Sequence, residues 1–291
     1  MNTSEQRGLV MAEHKISTKL LRHRLNQGLR FLFIALTIAF ILVPILLLFK
    51  ISVSAPQDIL TQHPPFLIKN FTWNHWKKVL AAGHIWVPLW KSTVVATFVA
   101  VLGVLIAAPA AYVISRLPRN IKYGVLLAIF STRMFPEVGI ALPISVTFVR
   151  WGLVDTNLGL VLAHLIKVLP LMAWIMTGTF DSIPKDLEQA ALVDGCDKGQ
   201  ALLKVVLPLS MAGMAAGSIL CWLESWNEFT YAVYLCLAES TLPIKTYYYV
   251  RRGNWFESAA YAVFLTIPVM IVTFVLQNYL KSDYLSGALK Y

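Results

Sequence analysis

Between residues 181 and 209 the chain reads Asp181-Ser-Ile-Pro-Lys-Asp-Leu-Glu-Gln-Ala-Ala-Leu-Val-Asp-Gly-Cys-Asp-Lys-Gly-Gln-Ala-Leu-Leu-Lys-Val-Val-Leu-Pro-Leu209, a polar stretch flanked by apolar runs. Its residue types suit a mechanical task rather than covalent chemistry. Pro184 fits the first turn of a helix, Asp186 and Glu188 favour its positive N-terminal end, and Gly195 can adopt the left-handed conformation that stops it. The spacing predicts a short helix from Pro184 to Asp194. Asp197 is placed to cap a second helix from Gln200 to Val206, and Pro208 opens the apolar run after it. Leu187, Ala190, Ala191 and Asp194 fall on one face of the first helix, where small alanines let a foreign backbone approach closely. A helix of about eleven residues is marginal alone in water, so it must rest on something: another protein, or its own chain at the membrane interface.

A second group of polar residues lies inside the apolar runs: Arg133, Glu137, His164, Lys167, Glu224 and Glu228. A charge in the bilayer costs about 2.5 to 3.5 kcal/mol on insertion scales, so these side chains should face the interior of a helix bundle. As one continuous helix, the segment from Glu224 to Tyr231 would put Glu224, Asn227, Glu228 and Tyr231 on a shared face. That mixture of donors, acceptors and an aromatic ring suits sugar hydroxyls and ring stacking. With Arg133 these residues form a candidate substrate path. The alternative is structural, the carboxylates being retained because they pair with Arg133 or Lys167. His164 alone reads as a packing residue. Gly217-Ser218 with His164 could be imagined as a nucleophile and base, but the spacing is unspecific and small residues commonly pack membrane helices. Cys196, Cys221 and Cys236 have no metal-ligand spacing, so no metal site and no catalytic residue is expected.

The elements that must position these groups follow from composition. Of 291 residues, 57% are hydrophobic and only 14% charged, against roughly 25% in soluble domains. That excludes an ordinary soluble enzyme. Six apolar runs are long enough to cross a hydrocarbon core of about 30 Å: Phe31 to Ile51, Val94 to Ile114, Val125 to Val149, Gly159 to Phe180, Met211 to Leu237 and Ala259 to Leu280. Lipid leaves no water for unpaired backbone groups, so each is read as a helix, and the class is an all-α polytopic membrane protein. The formal charge of +10 reflects Lys and Arg held at the cytoplasmic side rather than nucleic-acid binding. Residues 1–30 read as a basic cytoplasmic segment and 31–291 as the transmembrane domain, with both termini inside. Trp73, Trp76, Trp86 and Trp90 suggest an aromatic belt at the outer headgroups.

Glu188-Gln-Ala-Ala-Leu-Val-Asp-Gly195, followed by Leu207-Pro208, resembles the EAA loop of bacterial ABC importer permeases, although the family's glutamate aligns with Gln189 rather than Glu188. Arg133-Met-Phe-Pro136, Gly152-Leu-Val-Asp-Thr156, Trp226-Asn-Glu-Phe229 and Leu285-Ser-Gly-Ala-Leu-Lys290 are similar to segments of the carbohydrate, maltose-type branch. The resemblance implies a six-helix, type I importer permease fold in the bacterial inner membrane, with 181–208 as the coupling loop. It implies contact with an ATPase through Leu187, Glu188, Gln189, Ala190, Ala191, Asp194, Gly195, Leu207 and Pro208. The partners implied are a homologous second permease, an ATPase dimer and an extracytoplasmic solute-binding protein. The chain has no G-x-x-x-x-G-K-[ST] phosphate cradle, so ATP and Mg would be held by the ATPase and this subunit would be no enzyme. The expected function is import of a sugar. A polyol or glycerol phosphate permease and an ion-coupled secondary transporter are the alternatives.

Overall fold

The computed structural model describes the backbone of residues 3–81, 85–252 and 255–281, and side chains from residue 26 to residue 275 within those limits. The tail motif Leu285 to Lys290 lies outside the described residues. The elements are α1 (Thr3–Val53), α2 (Pro56–Ile59), α3 (Asn74–Ala81), α4 (Trp86–Arg116), α5 (Arg119–Ser131), α6 (Glu137–Arg150), α7 (Asn157–Asp181), α8 (Lys185–Val193), α9 (Lys198–Ala201), α10 (Leu207–Trp226), α11 (Thr230–Leu235), α12 (Leu242–Arg251) and α13 (Trp255–Lys281). Five helices are long and apolar enough to span a membrane among the described residues, and the pair α5 and α6 makes a sixth if taken as one broken span. This agrees with six apolar runs.

The bundle is organised around α7. Leu160, His164, Val168, Met172, Met176 and Phe180 recur every four residues and are all buried, so the ridge they form can seat in the grooves of α4 and α10. On α4 the facing residues are small, Ala107, Ala108 and Ala111 among them. On α10, Gly213 and Gly217 do the same work: a Cβ at Gly213 would fall inside the Thr179 side chain, and one at Gly217 would stand 3.0 Å from the Met172 sulfur. Lipid tails are as apolar as Leu, so close backbone approach rather than water exclusion holds such helices together. Outside this core, α1 packs on α13 and α3 and carries exposed apolar side chains such as Phe31 and Phe40.

Two runs read as continuous spans are broken. In the run Val125 to Val149, a 3₁₀ turn at Thr132–Met134 ends the first half, and α6 departs at 83° after Pro136. The proline lacks the donor a continuing helix needs and holds Phe135 extended, at φ −71° and ψ 137°. In the run Met211 to Leu237, α10 stops at Trp226 and α11 restarts at Thr230. The predicted second inward helix, Gln200 to Val206, is also not separate: α9 continues through a π-helical turn, Leu202–Val206, into α10.

Replacing Gly213 with Leu should reduce the amount of folded subunit recovered from membranes and lower its unfolding temperature, at a cost of about 1–3 kcal/mol. Gly178→Ala is the control, since nothing lies within 4 Å of its added carbon. Equal stability of the two variants would show that the α7–α10 contact is not close packed.

Candidate functional site

The loop after α7 forms as its punctuation predicts. Pro184 stands at the N-terminus of α8 with extended backbone, Asp186 and Glu188 occupy the first turn, and Gly195 has φ +92°. Asp197 then makes a capping box: its carboxylate accepts from the Gln200 amide at 2.8 Å, and the Gln200 side chain accepts from the Asp197 amide at 3.4 Å. Leu207 and Pro208 belong to the first turn of α10.

The predicted single face of α8 divides in two. Ala191 is buried against the chain itself, whereas Leu187, Gln189, Ala190, Asp194 and Gly195 are exposed, together with Val193 at 86%. Glu188 turns to the same side as Ala191. Its carboxylate accepts from Arg116 Nε at 2.8 Å and from the Tyr112 hydroxyl, and Arg116 Nη1 donates to the Phe180 carbonyl at 3.3 Å. The Arg116 guanidinium also lies 5.2 Å from the Tyr112 ring centre. Beside it Lys122 of α5 binds Asp181 at 2.7 Å. Sequence reasoning singled out neither Arg116 and Lys122 nor Tyr112. The signal was present in the four-residue spacing of Tyr112 and Arg116, which shares one face of α4.

At the opposite end of the bundle the Gly152 to Thr156 motif makes a turn, with Gly152 at φ +68° and Asp155 at φ +64°. A non-glycine residue in the left-handed region is strained unless its surroundings hold it. Here the Asp155 carboxylate accepts from the amides of Leu237 at 2.6 Å and Ala238 at 2.8 Å, and its carbonyl accepts from Lys91 at 3.3 Å. Lys91 is buried and also pairs with Glu239 at 3.7 Å. The loop after α11 is therefore pinned by a residue 82 positions earlier. Of the four tryptophans at this end, Trp73, Trp86 and Trp90 are exposed and Trp76 is tied inward, donating to Ser52 at 3.1 Å.

Within the apolar zone, Arg133, Glu224, Lys167 and Glu137 form one chain of charges, Arg133 to Glu224 at 3.3 Å, Glu224 to Lys167 at 4.0 Å and Lys167 to Glu137 at 2.9 Å. The chain joins both sides of the α5–α6 break to α7 and α10. It borders a cleft of about 260 Å³ lined by Lys167, Leu171, Leu220, Leu223, Glu224 and Asn227.

Glu228 and Tyr231 do not share that face. Helix α10 ends before them, and both are buried. The Glu228 carboxylate instead accepts from the amides of Tyr231 at 2.8 Å and Ala232 at 3.1 Å, which restarts the chain as α11, and it lies 3.2 Å from His164 Nε2. His164 Nδ1 is 2.8 Å from the Ser225 hydroxyl. The nucleophile imagined from Gly217-Ser218 is not formed, because Ser218 donates to the Ala215 carbonyl at 2.8 Å and His164 is engaged elsewhere. No cluster of His, Cys, Asp and Glu able to hold a metal occurs among the described residues.

Helices long and apolar enough to cross a membrane, two of the runs broken, and a polar cleft beside one break define a polytopic membrane protein. Residues 100–285 match the family described as the binding-protein-dependent transport system inner membrane component, and the chain belongs to that family. It is 33% identical to the sulfoquinovosyl glycerol transport system permease protein SmoH of Agrobacterium fabrum, over 69% of this chain and 72% of that one. The trehalose transport system permease protein SugB of Mycobacterium tuberculosis is 27% identical over 88% of this chain and 94% of its own length. Among solved structures, a subunit of a bacterial ABC transporter for import of the acidic polysaccharide alginate aligns over 88% of this chain and 96% of its own, with TM-score 0.70 and 22% identity.

Replacing Glu228 with Ala removes the acceptor of two buried amides and the partner of His164. It should destabilise the subunit by about 3 kcal/mol, seen as a fall in assembled complex and in unfolding temperature. An unchanged unfolding temperature would show that the carboxylate does not hold the α10–α11 break.

Proposed function

We propose that this chain is the permease subunit of an ATP-driven, binding-protein-dependent importer of a carbohydrate. In this reading it lines the path together with a homologous second permease in the inner membrane, with both termini cytoplasmic. A solute-binding protein delivers the sugar from outside, and an ATPase dimer engages α8, holding ATP and Mg on its own residues. The carrying observation is α8 itself: a short helix, sharply ended by Gly195, that presents Leu187, Ala190 and Val193 to the exterior, with nothing among the described residues covering them. Relatives named for trehalose and for diacetylchitobiose, the latter from Streptomyces coelicolor at 26% identity, support a sugar as cargo.

The cleft supports an uncharged, hydroxylated solute. Arg133 and Lys167 would be free cations on the path of an anion such as glycerol phosphate, but each pairs with a carboxylate, so the four charges sum to zero. What remains for solute is the Asn227 amide, the outer edges of Glu224 and Lys167, and apolar walls from Leu171, Leu220 and Leu223. ATP then biases the inward-open and outward-open arrangements; moving a 1:99 population to 99:1 takes about 5.5 kcal/mol.

The purified chain alone should hydrolyse no ATP, whereas its complex with the second permease, the ATPase and the binding protein in liposomes should take up labelled trehalose, maltose or diacetylchitobiose only when ATP is enclosed. Hydrolysis by the isolated chain, or uptake driven by an ion gradient without ATP, would refute the reading. In that system Glu224→Gln should change the uptake rate about tenfold at unchanged levels of assembled complex, roughly the effect of one charge-assisted hydrogen bond. Loss of assembly with normal uptake per complex would make Glu224 purely structural.

A further inference from the structure

The proposed motor contact leaves open which membrane helix receives the force, and the surroundings of Glu188 answer it. Both of its carboxylate oxygens are occupied within its own chain, Oε1 by the Tyr112 hydroxyl and Oε2 by Arg116. Arg116 and Glu188 are 18% and 15% exposed, so water competes weakly for either partner and the pair is more than a surface ion pair. Arg116 also holds the last turn of α7 through the Phe180 carbonyl. Three elements, α4, α7 and α8, thus meet at one guanidinium. Ala191, one turn beyond Glu188, is buried on the same side.

Two covalent routes leave α8. One, through Ser182, Ile183 and Pro184, joins α7, whose last turn Arg116 also holds. The other, into α10, is softer: it runs through the left-handed Gly195 and the two residues that follow, and then through the π-helical turn Leu202–Val206, whose wider i→i+5 bonds replace the α-helical ladder. A push on α8 along that route can be absorbed by turn and bulge, while a push through Glu188 meets an ion pair anchored on a 31-residue helix.

We infer that Glu188 is not a contact for the ATPase but a positioning residue that clamps α8 to the cytoplasmic end of α4 through Arg116 and Tyr112, so that displacement of α8 is delivered to α4 directly and not only along the chain. Helix α4 packs along α7 and α10, so its movement reaches Glu224 and the cleft from behind. Gln189, which stands where the related loops carry their glutamate, is exposed and free to face the motor.

This inference rests on the importer reading above, and one experiment separates the two. Hydrogen exchange is followed in the complete importer in lipid nanodiscs, with and without ATP plus vanadate, at residues 185–193 and at 110–124. In the wild type both segments should respond to nucleotide. In Glu188→Gln and Arg116→Gln the response at 110–124 should fall at least about fivefold while the response at 185–193 persists, and Tyr112→Phe, which keeps the ion pair, should lie between. Wild-type responses at both segments in the variants would overturn the clamp. So would loss of the 185–193 response, which would make Glu188 a contact with the ATPase. A wild-type importer in which neither segment responds would sink the importer reading itself.

Discussion

A charge cannot be hydrated in hydrocarbon, and most of what is distinctive in this structure follows from that constraint. The ionisable groups sunk in the bundle are neutralised by one another, Arg133 and Lys167 by Glu224 and Glu137, and Glu228 by backbone amides beside His164. Each set also lies at a helix break. The association has a physical cause: a break exposes backbone donors and acceptors that lipid cannot satisfy, and a nearby side chain must supply what the helix has stopped supplying. Glu137 sits in the first turn of α6 and Glu228 just before α11, both at the positive end of a helix where a carboxylate is stabilised.

The two carboxylates of the fifth apolar run therefore divide their roles. Glu228 is fully engaged in restarting the chain, with no oxygen left for a solute, and its burial agrees with that. Glu224 is bound only on one side, at 3.3 Å to Arg133 and a looser 4.0 Å to Lys167, and it borders the cleft. Pairing and lining are compatible here. An ion pair that fixes how α5, α7 and α10 meet also fixes the shape of the wall that a solute would pass.

Some of this was legible in the sequence and some was not, for reasons that can be assigned. Helix α8 was readable almost to the residue because its limits are local: proline at the start, acids in the first turn, glycine at the stop. The break after Trp226 was not, since Trp-Asn-Glu-Phe contains neither proline nor glycine and an apolar run looks the same whether or not it is interrupted. Pro136 did stand in the sequence, yet a proline inside a membrane helix can be absorbed as a kink, and only its neighbours decided for an 83° departure. Which alanine of the Ala190-Ala191 pair faces inward depended on Arg116 and Tyr112, 72 and 76 residues away from Glu188.

The two ends of the bundle solve one mechanical problem in the same way. At the end where α4 begins, the loop after α11 hangs from Asp155, which spends its carboxylate on two amides and accepts a strained backbone to do so. At the other end α8 hangs from Arg116 through Glu188. In both cases a surface segment that would otherwise be loose is fixed to a long helix or its adjoining turn by a charged hydrogen bond spanning more than seventy residues of sequence. Displacement can pass through a protein only where segments move as rigid pieces, since a flexible loop dissipates it. Helix α4 touches both fixings, with Lys91 near its N-terminus bound to the Asp155 carbonyl and Arg116 at its C-terminus bound to Glu188. A single continuous helix thus joins the two fixings, while the helices beside it, α5 with α6 and α10 with α11, are broken.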